Sequence, residues 1–287
     1  MSSQSTMRVH HINCGEIQGL SVCGQHLICH CLLIETPSSG LILIDTGLGM
    51  QDLINPVPRF GREFSYGYAR PKRDTALAAI SQVRKMGFDP KDVRHIVLTH
   101  LDLDHVGGLV DFPNAIVHAH TAEHRVATTR PNRLARMRYR PAMFAHNPKF
   151  RLYEDLGEPW FGFEAVRELH GLPPEILLVP TVGHTRGHTA VAIQSEGQWL
   201  LHAGDAYFDH REVYGPSRVC SPLLEIFQFF NQTDRRLRLY NQARLRNLVA
   251  TTPEVAVFCA HNPFEFPRGG QAHGQWFVDM TAEAMRK

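Results

Sequence analysis

Thr99-His-Leu-Asp-Leu-Asp-His-Val-Gly-Gly108 is the stretch from which this chain can be read. It follows a short apolar run, Ile96-Val-Leu98, of strand type. His100, Asp102 and Asp104 alternate with Leu101 and Leu103, so an extended backbone sets three ligand-type groups on one side and two leucines on the other. His105 follows directly. Gly107 and Gly108 permit a tight turn and a close backbone approach, and the chain can enter a helix straight after them. Carboxylates and imidazoles converging in a folded interior repel and desolvate one another unless a cation joins them. An exposed polar loop is the competing reading, and the flanking strand and glycine pair argue against it.

Three later segments carry the same signal. Gly183-His-Thr-Arg-Gly-His188 lies between two strand-type runs, Leu200-Leu-His-Ala-Gly-Asp205 is an apolar strand ending in aspartate, and Val255-Ala-Val-Phe-Cys-Ala-His261 is one ending in histidine. A lone histidine at a strand end is ordinarily structural. Three such ends after a four-ligand motif have to be judged together, because a sheet edge is where a rigid frame can hold a reactive group.

Around these segments the pattern predicts strands at Met7–Ile12, His26–Glu35, Leu41–Asp45, Arg94–Leu98 and Ala115–Ala119. Further strands are expected at Ile176–Val179, Thr189–Gln194, Gln198–Ala203 and Glu254–Ala260. Thr36-Pro-Ser-Ser-Gly40 reads as the turn of a hairpin. Helices are predicted over Asp74–Met86, from Thr121 to before Pro131, over Thr233–Val249 with Leu237, Tyr240 and Leu248 on one face, and over Gln275–Met285. Strands then helices, twice over, fit an α/β four-layer sandwich, αββα, with two packed sheets inside. The whole chain, 1–287, reads as one domain, with a helical and loop cap inserted at about 121–175.

Composition sets wide bounds. The 287 residues include 30 lysines and arginines against 28 acids, a net charge of +2, which calls for neither a nucleic-acid nor a membrane partner. Six arginines fall between Arg125 and Arg140 with one acid-free stretch around them; a solvated face is the preferred reading and a basic rim near the site mouth the other. The opening residues hold no apolar segment of signal-peptide length, and no run approaches a membrane span, so the chain reads as cytoplasmic. Its six cysteines are then expected to be thiols. Cys29 and Cys31 share one strand face and read as small buried hydrophobes.

With these segments in place, the chain resembles the metallo-β-lactamase superfamily from about Leu41 to His261. Its His-x-His-x-Asp-His signature corresponds to His100-x-Asp102-x-Asp104-His105. The resemblance implies two divalent cations. The first would take His100, Asp102, His184 and Asp205, and the second Asp104, His105, Asp205 and His261, with Asp205 bridging. Asp45 would support the metal loop and His188 would orient a ligand. Zinc is the family's metal; Asp102, a carboxylate where the common pattern has histidine, turns preference toward manganese or iron.

The implied chemistry is metal-assisted hydrolysis of a lactone or ester, acyl-homoserine lactones included, with Asp104 handling the proton. Tyr207 is the nearest candidate oxyanion donor and Tyr214 the next; lactonases of the family place a tyrosine three residues past the bridging aspartate, where this chain has Phe208. Tyr207 serving only in packing is the alternative. The cap aromatics Phe144, Trp160, Phe161 and Phe163 line an acyl pocket or form the cap's own core. Thioesterase and phosphoesterase activities on the same fold are alternatives. So are a di-iron redox protein, for which 26 residues after His261 leave no room for a flavin domain, and a nuclease. A small-molecule substrate is the expected partner, and a homodimer the expected assembly.

Overall fold

The structure, a computed structural model, describes residues 7–154 and 157–267. The predicted C-terminal helix at Gln275–Met285 lies outside the described residues.

Among the described residues, twelve strands form two six-stranded sheets. The first contains β1 (Arg8–Val22), β2 (Gln25–Glu35), β3 (Leu41–Ile44), β4 (Val93–Val97), β5 (Ile116–His120) and β6 (Lys149–Tyr153), in that order. β1–β3 pair antiparallel, and β3–β6 run parallel. The second sheet is β12 (Val255–Phe258), β11 (Gln198–His202), β10 (Thr189–Ser195), β9 (Ile176–Pro180), β8 (Phe163–Glu168) and β7 (Glu158–Trp160). Only β11 and β12 are parallel there.

The alternation of side chains along each strand divides the core in two. Leu32, Ile34, Ile42 and Ile44 turn toward β9–β12 and form the layer between the sheets. Leu33, Leu41, Leu43 and Ile96 point the opposite way and meet Ala79 and Val83 of a helix outside. Helices therefore flank two face-to-face sheets, the four-layer αββα arrangement expected. They are α1 (Met50–Ile54), α2 (Val57–Phe60), α3 (Ala79–Lys85), α4 (Leu103–Val106), α5 (Thr121–Thr129), α6 (Arg133–Arg138), α7 (Pro222–Phe230) and α8 (Arg235–Thr251). No helix among the described residues is long and apolar enough to cross a membrane.

Several elements depart from the sequence-based expectation. β1 runs ten residues beyond Ile12, with breaks in register that let its polar second half continue to pair with β2. The helix predicted over Asp74–Met86 is a short 3-10 turn at Thr75–Leu77 followed by α3, because Ala78 is extended between them. Residues 121–175 are not a cap of helices and loops alone: β6, β7 and β8 lie there and complete the outer edges of both sheets. In α8 the buried face is Arg238, Asn241, Gln242, Leu245 and Leu248, while Leu237 and Tyr240 face out. Polar side chains occupy the inner face because partners await them there, as the site makes plain.

Candidate metal centre

Each predicted ligand sits where an apolar strand ends. β4 delivers Thr99 and His100; Asp102 is extended and caps α4, whose first turn carries Asp104 and His105. The alternating pattern thus holds only as far as Asp102, and a helical turn then sets Asp104 and His105 side by side. Gly107 makes this close-in geometry possible: a Cβ there would lie 2.6 Å from the Gly47 carbonyl oxygen and 2.7 Å from the Gly49 nitrogen. β11 leads to Asp205 through Gly204, whose φ of +52° and closeness to His188 and Thr99 exclude a side chain. β12 leads to His261.

All seven predicted ligands come together in the structure, in two groups around Asp205. Its Oδ2 lies 3.4 Å from Nε2 of His184 and 3.9 Å from Nε2 of His100. Asp102 Oδ2 completes that group at 3.1 Å from His184 and 3.3 Å from His100. Oδ1 of Asp205 faces the other way, 3.2 Å from Nε2 of His105 and 3.1 Å from Nε2 of His261. Asp104 Oδ2 stands 3.5 Å from the same His261 nitrogen.

The hydrogen bonds on the far sides of the rings decide which nitrogens are bare. Asp45 can only accept, so His105 donates from Nδ1 to its Oδ2 at 2.8 Å. The Thr99 hydroxyl donates to Asp45 at 2.7 Å and therefore accepts from His100 Nδ1 at 3.0 Å. His261 Nδ1 donates to the Ile28 carbonyl at 2.7 Å. In the neutral rings all three Nε2 atoms then carry lone pairs, and they face carboxylate oxygens. His100 Nε2, His105 Nε2 and Asp205 Oδ1 are buried without a hydrogen-bond partner. Electron pairs opposed at about 3 Å inside a protein call for a cation between them. The donor set, imidazoles and carboxylates with their outer nitrogens anchored, fits a pair of divalent ions.

The buried carboxylates make the site attractive to positive charge, whether a proton or a metal cation. Burial opposes charge on His105, yet the carboxylates of Asp205 and Asp45 push its imidazole well up. Burial likewise works against Asp205, but His261 and His105 hold its carboxyl well below the ordinary range. His184 differs: burial and the nearby Arg138 guanidinium bring it down to about 4. Asp45 adopts a left-handed φ of 55°. Its bonds to the Thr99 amide at 2.9 Å, the Thr99 hydroxyl and His105 hold it in that conformation.

Several residues that serve the centre escaped sequence reasoning. Arg138, at the end of α6, sets Nε 2.9 Å from Asp102 Oδ1 as a charge contact, donates from Nη1 to the His184 carbonyl at 3.0 Å, and brings Nη2 within 3.3 Å of His184 Nε2. In the basic run it is therefore not a solvated arginine, whereas Arg125, Arg133 and Arg136 are exposed. Buried Glu123 accepts from the Leu101 amide at 3.1 Å, the Gly187 amide at 3.0 Å and the Tyr139 hydroxyl at 2.9 Å, joining two ligand loops to the α6 segment. Asn241 donates to the Val182 carbonyl at 2.7 Å and Gln242 to the Ala206 carbonyl at 2.9 Å, so the polar face of α8 holds the loops of His184 and Asp205. His188, predicted as an orienting residue, accepts from the Asp205 amide through Nε2 at 2.9 Å.

Tyr207 has a different place from the one expected of an oxyanion donor. It is fully buried, and its hydroxyl donates to Glu265 at 2.8 Å. Tyr214 is likewise committed, donating to the Val257 carbonyl at 2.6 Å. Tyr207→Phe is expected to cost stability, on the order of 1–3 kcal/mol for a buried acceptor left unpaired, with turnover changed less than about twofold; a large loss of turnover with an unchanged melting temperature would restore the catalytic role. Burial pushes its partner Glu265 up to about 8 from an ordinary 4.5. The folded state then binds the extra proton, so this group's contribution is complete below about 4.5 and is lost as pH rises through about 8. Glu265→Gln should flatten that decline in a melting series across this window; an unaltered profile would contradict it. Phe208, where the resemblance implies a tyrosine, stacks on His261 at 5.2 Å and meets His184 at 6.0 Å. Of the four aromatics assigned to the cap, Phe163 is core, Trp160 packs on Trp199, Phe161 is exposed, and Phe144 lines a cavity of about 220 Å³ beneath Leu101.

A four-layer αββα frame with histidine and aspartate at its strand ends defines a class, and the chain belongs to the metallo-β-lactamase superfamily, whose model matches residues 24–261. It is a metallo-hydrolase of that superfamily. It is 39% identical over 266 residues to a protein of Mycobacterium tuberculosis named "probable metallo-hydrolase", covering 90% of this chain and 81% of the relative. An N-acyl homoserine lactonase of a Bacillus species is 28% identical over 179 residues, 62% of this chain and 63% of the relative. Among solved structures, an N-acyl homoserine lactone hydrolase with N-hexanoyl-L-homoserine at its catalytic metal centre shares the fold, with a TM-score of 0.66 and 23% identity over 90% of this chain and 94% of that one.

Proposed function

We propose that this protein holds two divalent cations and hydrolyses a lactone or closely related ester. The observation that carries the reading is the split of Asp205: one oxygen faces His100 and His184, the other His105 and His261. The likeness to lactonases supports the substrate class.

His100, Asp102, His184 and Asp205 would hold the first cation, and Asp104, His105, His261 and Asp205 the second. When bound, such ions supply the Lewis acidity that makes water nucleophilic near neutral pH and polarises a carbonyl. Asp104 has the role left to the chain: its carboxylate accepts a proton from the attacking water and returns it to the alkoxide oxygen as the ring C–O bond breaks. Water is consumed, and a hydroxy acid is released. Phe208 presents an apolar wall beside His184 and His261 and offers no donor. Asp102 is a harder ligand than the histidine of the common pattern, which favours manganese or iron at the first position, with zinc compatible at both.

Metal analysis by mass spectrometry, followed by turnover of lactone, thioester and phosphodiester panels with and without chelator, tests the proposal. Lactone opening, seen as proton release, should vanish with chelator and return with added zinc or manganese. Chelator-sensitive thioester or phosphodiester turnover with inert lactones would overturn the substrate assignment.

A further inference from the structure

Cys29 lies on β2, with no disulfide partner and 2% exposure. One donor atom each from Cys29, Asp104 and His261 lie within 4.8 Å of one another. The position is fixed by backbone: the amide of His30 donates to the Ala260 carbonyl at 2.8 Å, and the Ile28 carbonyl receives His261 Nδ1. β2 is therefore stitched to the loop that carries His261, and Cys29 is held between those two bonds. Around it, His105 Nε2 and Asp205 Oδ1 are both buried without hydrogen-bond partners. Cys31, two residues on, points to the same sheet face but is absent from this group of donors. What distinguishes this thiol is a carboxylate and an imidazole close enough to share one ion with it.

We propose that Cys29 is a thiolate ligand of the second cation, alongside Asp104, His105, His261 and the shared Asp205. This rests on the two-cation reading above and extends it. The thiol gives up its proton to solvent when the cation binds, as coordinating thiols do. The centre is then chemically asymmetric. Its first position is built from two imidazoles and two carboxylates, with Arg138 against Asp102, and suits a harder ion. Its second position gains a soft donor that selects zinc or cobalt over manganese.

The test loads the full, metal-stripped chain with two equivalents of cobalt(II) and records its absorption. Wild type should show a strong thiolate-to-cobalt charge-transfer band in the near ultraviolet. Cys29→Ser should lose that band while keeping the weaker visible bands of bound cobalt, and Cys31→Ser should keep both. Cys29→Ser should also weaken zinc binding at one of two sites by roughly tenfold or more, the least expected of a ligand when outer-shell changes alone cost 10–100-fold. X-ray absorption of the zinc-loaded wild type needs no variant and should show a sulfur neighbour at about 2.3 Å. Two bound cobalt ions without the band, zinc without a sulfur neighbour, or a band that survives Cys29→Ser would overturn the ligation and leave the two-cation reading intact. Wild type that takes up no cobalt would overturn both.

Discussion

Asp205→Ala is expected to abolish stable binding at both cation positions and to lower hydrolysis on the order of 10³-fold, the equivalent of several kcal/mol of lost charge stabilisation. Asp205 is expected to do both because its two carboxylate oxygens face different groups. Its Oδ2 stands 3.4 Å from His184, and its Oδ1 3.2 Å from His105 and 3.1 Å from His261. Asp104→Ala, by contrast, removes a neighbour of His261 and Cys29 and should spare the first position. The loss in Asp205→Ala should appear in metal content and in the metal-dependent rise in melting temperature, with the secondary structure preserved. The Asp205 amide is held by His188 whatever the side chain, so the loop should stay in place. A variant that kept two ions per chain and turnover within tenfold of wild type would refute the bridging role.

The ligands were legible because the code for them is short-range. An apolar run that stops at a polar residue marks a sheet edge, and His100, Asp205 and His261 each follow one. The two-sheet architecture was legible for the same reason, since strands buried on both faces, such as Leu41–Ile44, read as unbroken apolar runs.

What could not be read depends on partners distant in the chain. The inner face of α8 holds Arg238, Asn241 and Gln242, and apolar periodicity pointed instead to Leu237 and Tyr240. Arg238 is buried because Gln232 accepts from its Nε at 2.7 Å, a pairing no pattern within the helix announces. α7 was missed although Ser221-Pro222 is a sound start signal, because Leu223, Ile226, Phe229 and Phe230 are all exposed. β6 is an edge strand carrying Lys149 and Arg151 outward, so its composition resembled a loop. Arg138 was hidden among five other arginines, and its contacts with Asp102, 36 positions earlier, and His184, 46 positions later, set it apart.

That ion pair yields the second large expectation. Arg138→Met should destabilise the metal-free protein by about 3–5 kcal/mol, the usual consequence of leaving one member of a buried pair without its partner. The side chains are 7% and 14% exposed, so little solvent screening reduces that cost. Arg138 is the largest charge holding the Asp102 carboxyl well below its ordinary range against the effect of burial. A cation at the first position would take over that neutralisation, so the metal-loaded variant should lose distinctly less than the metal-free one. The remainder lost in both states reflects the bond from Arg138 to the His184 carbonyl, which ties α6 to the ligand loop. The same substitution removes a positive charge from beside His184 Nε2, and first-position affinity should therefore rise rather than fall. Melting curves with and without metal, with titration of the first equivalent, separate the two effects. Equal destabilisation in both states, with unchanged affinity, would show that Arg138 clamps the loop and has no electrostatic hold on the cation ligand.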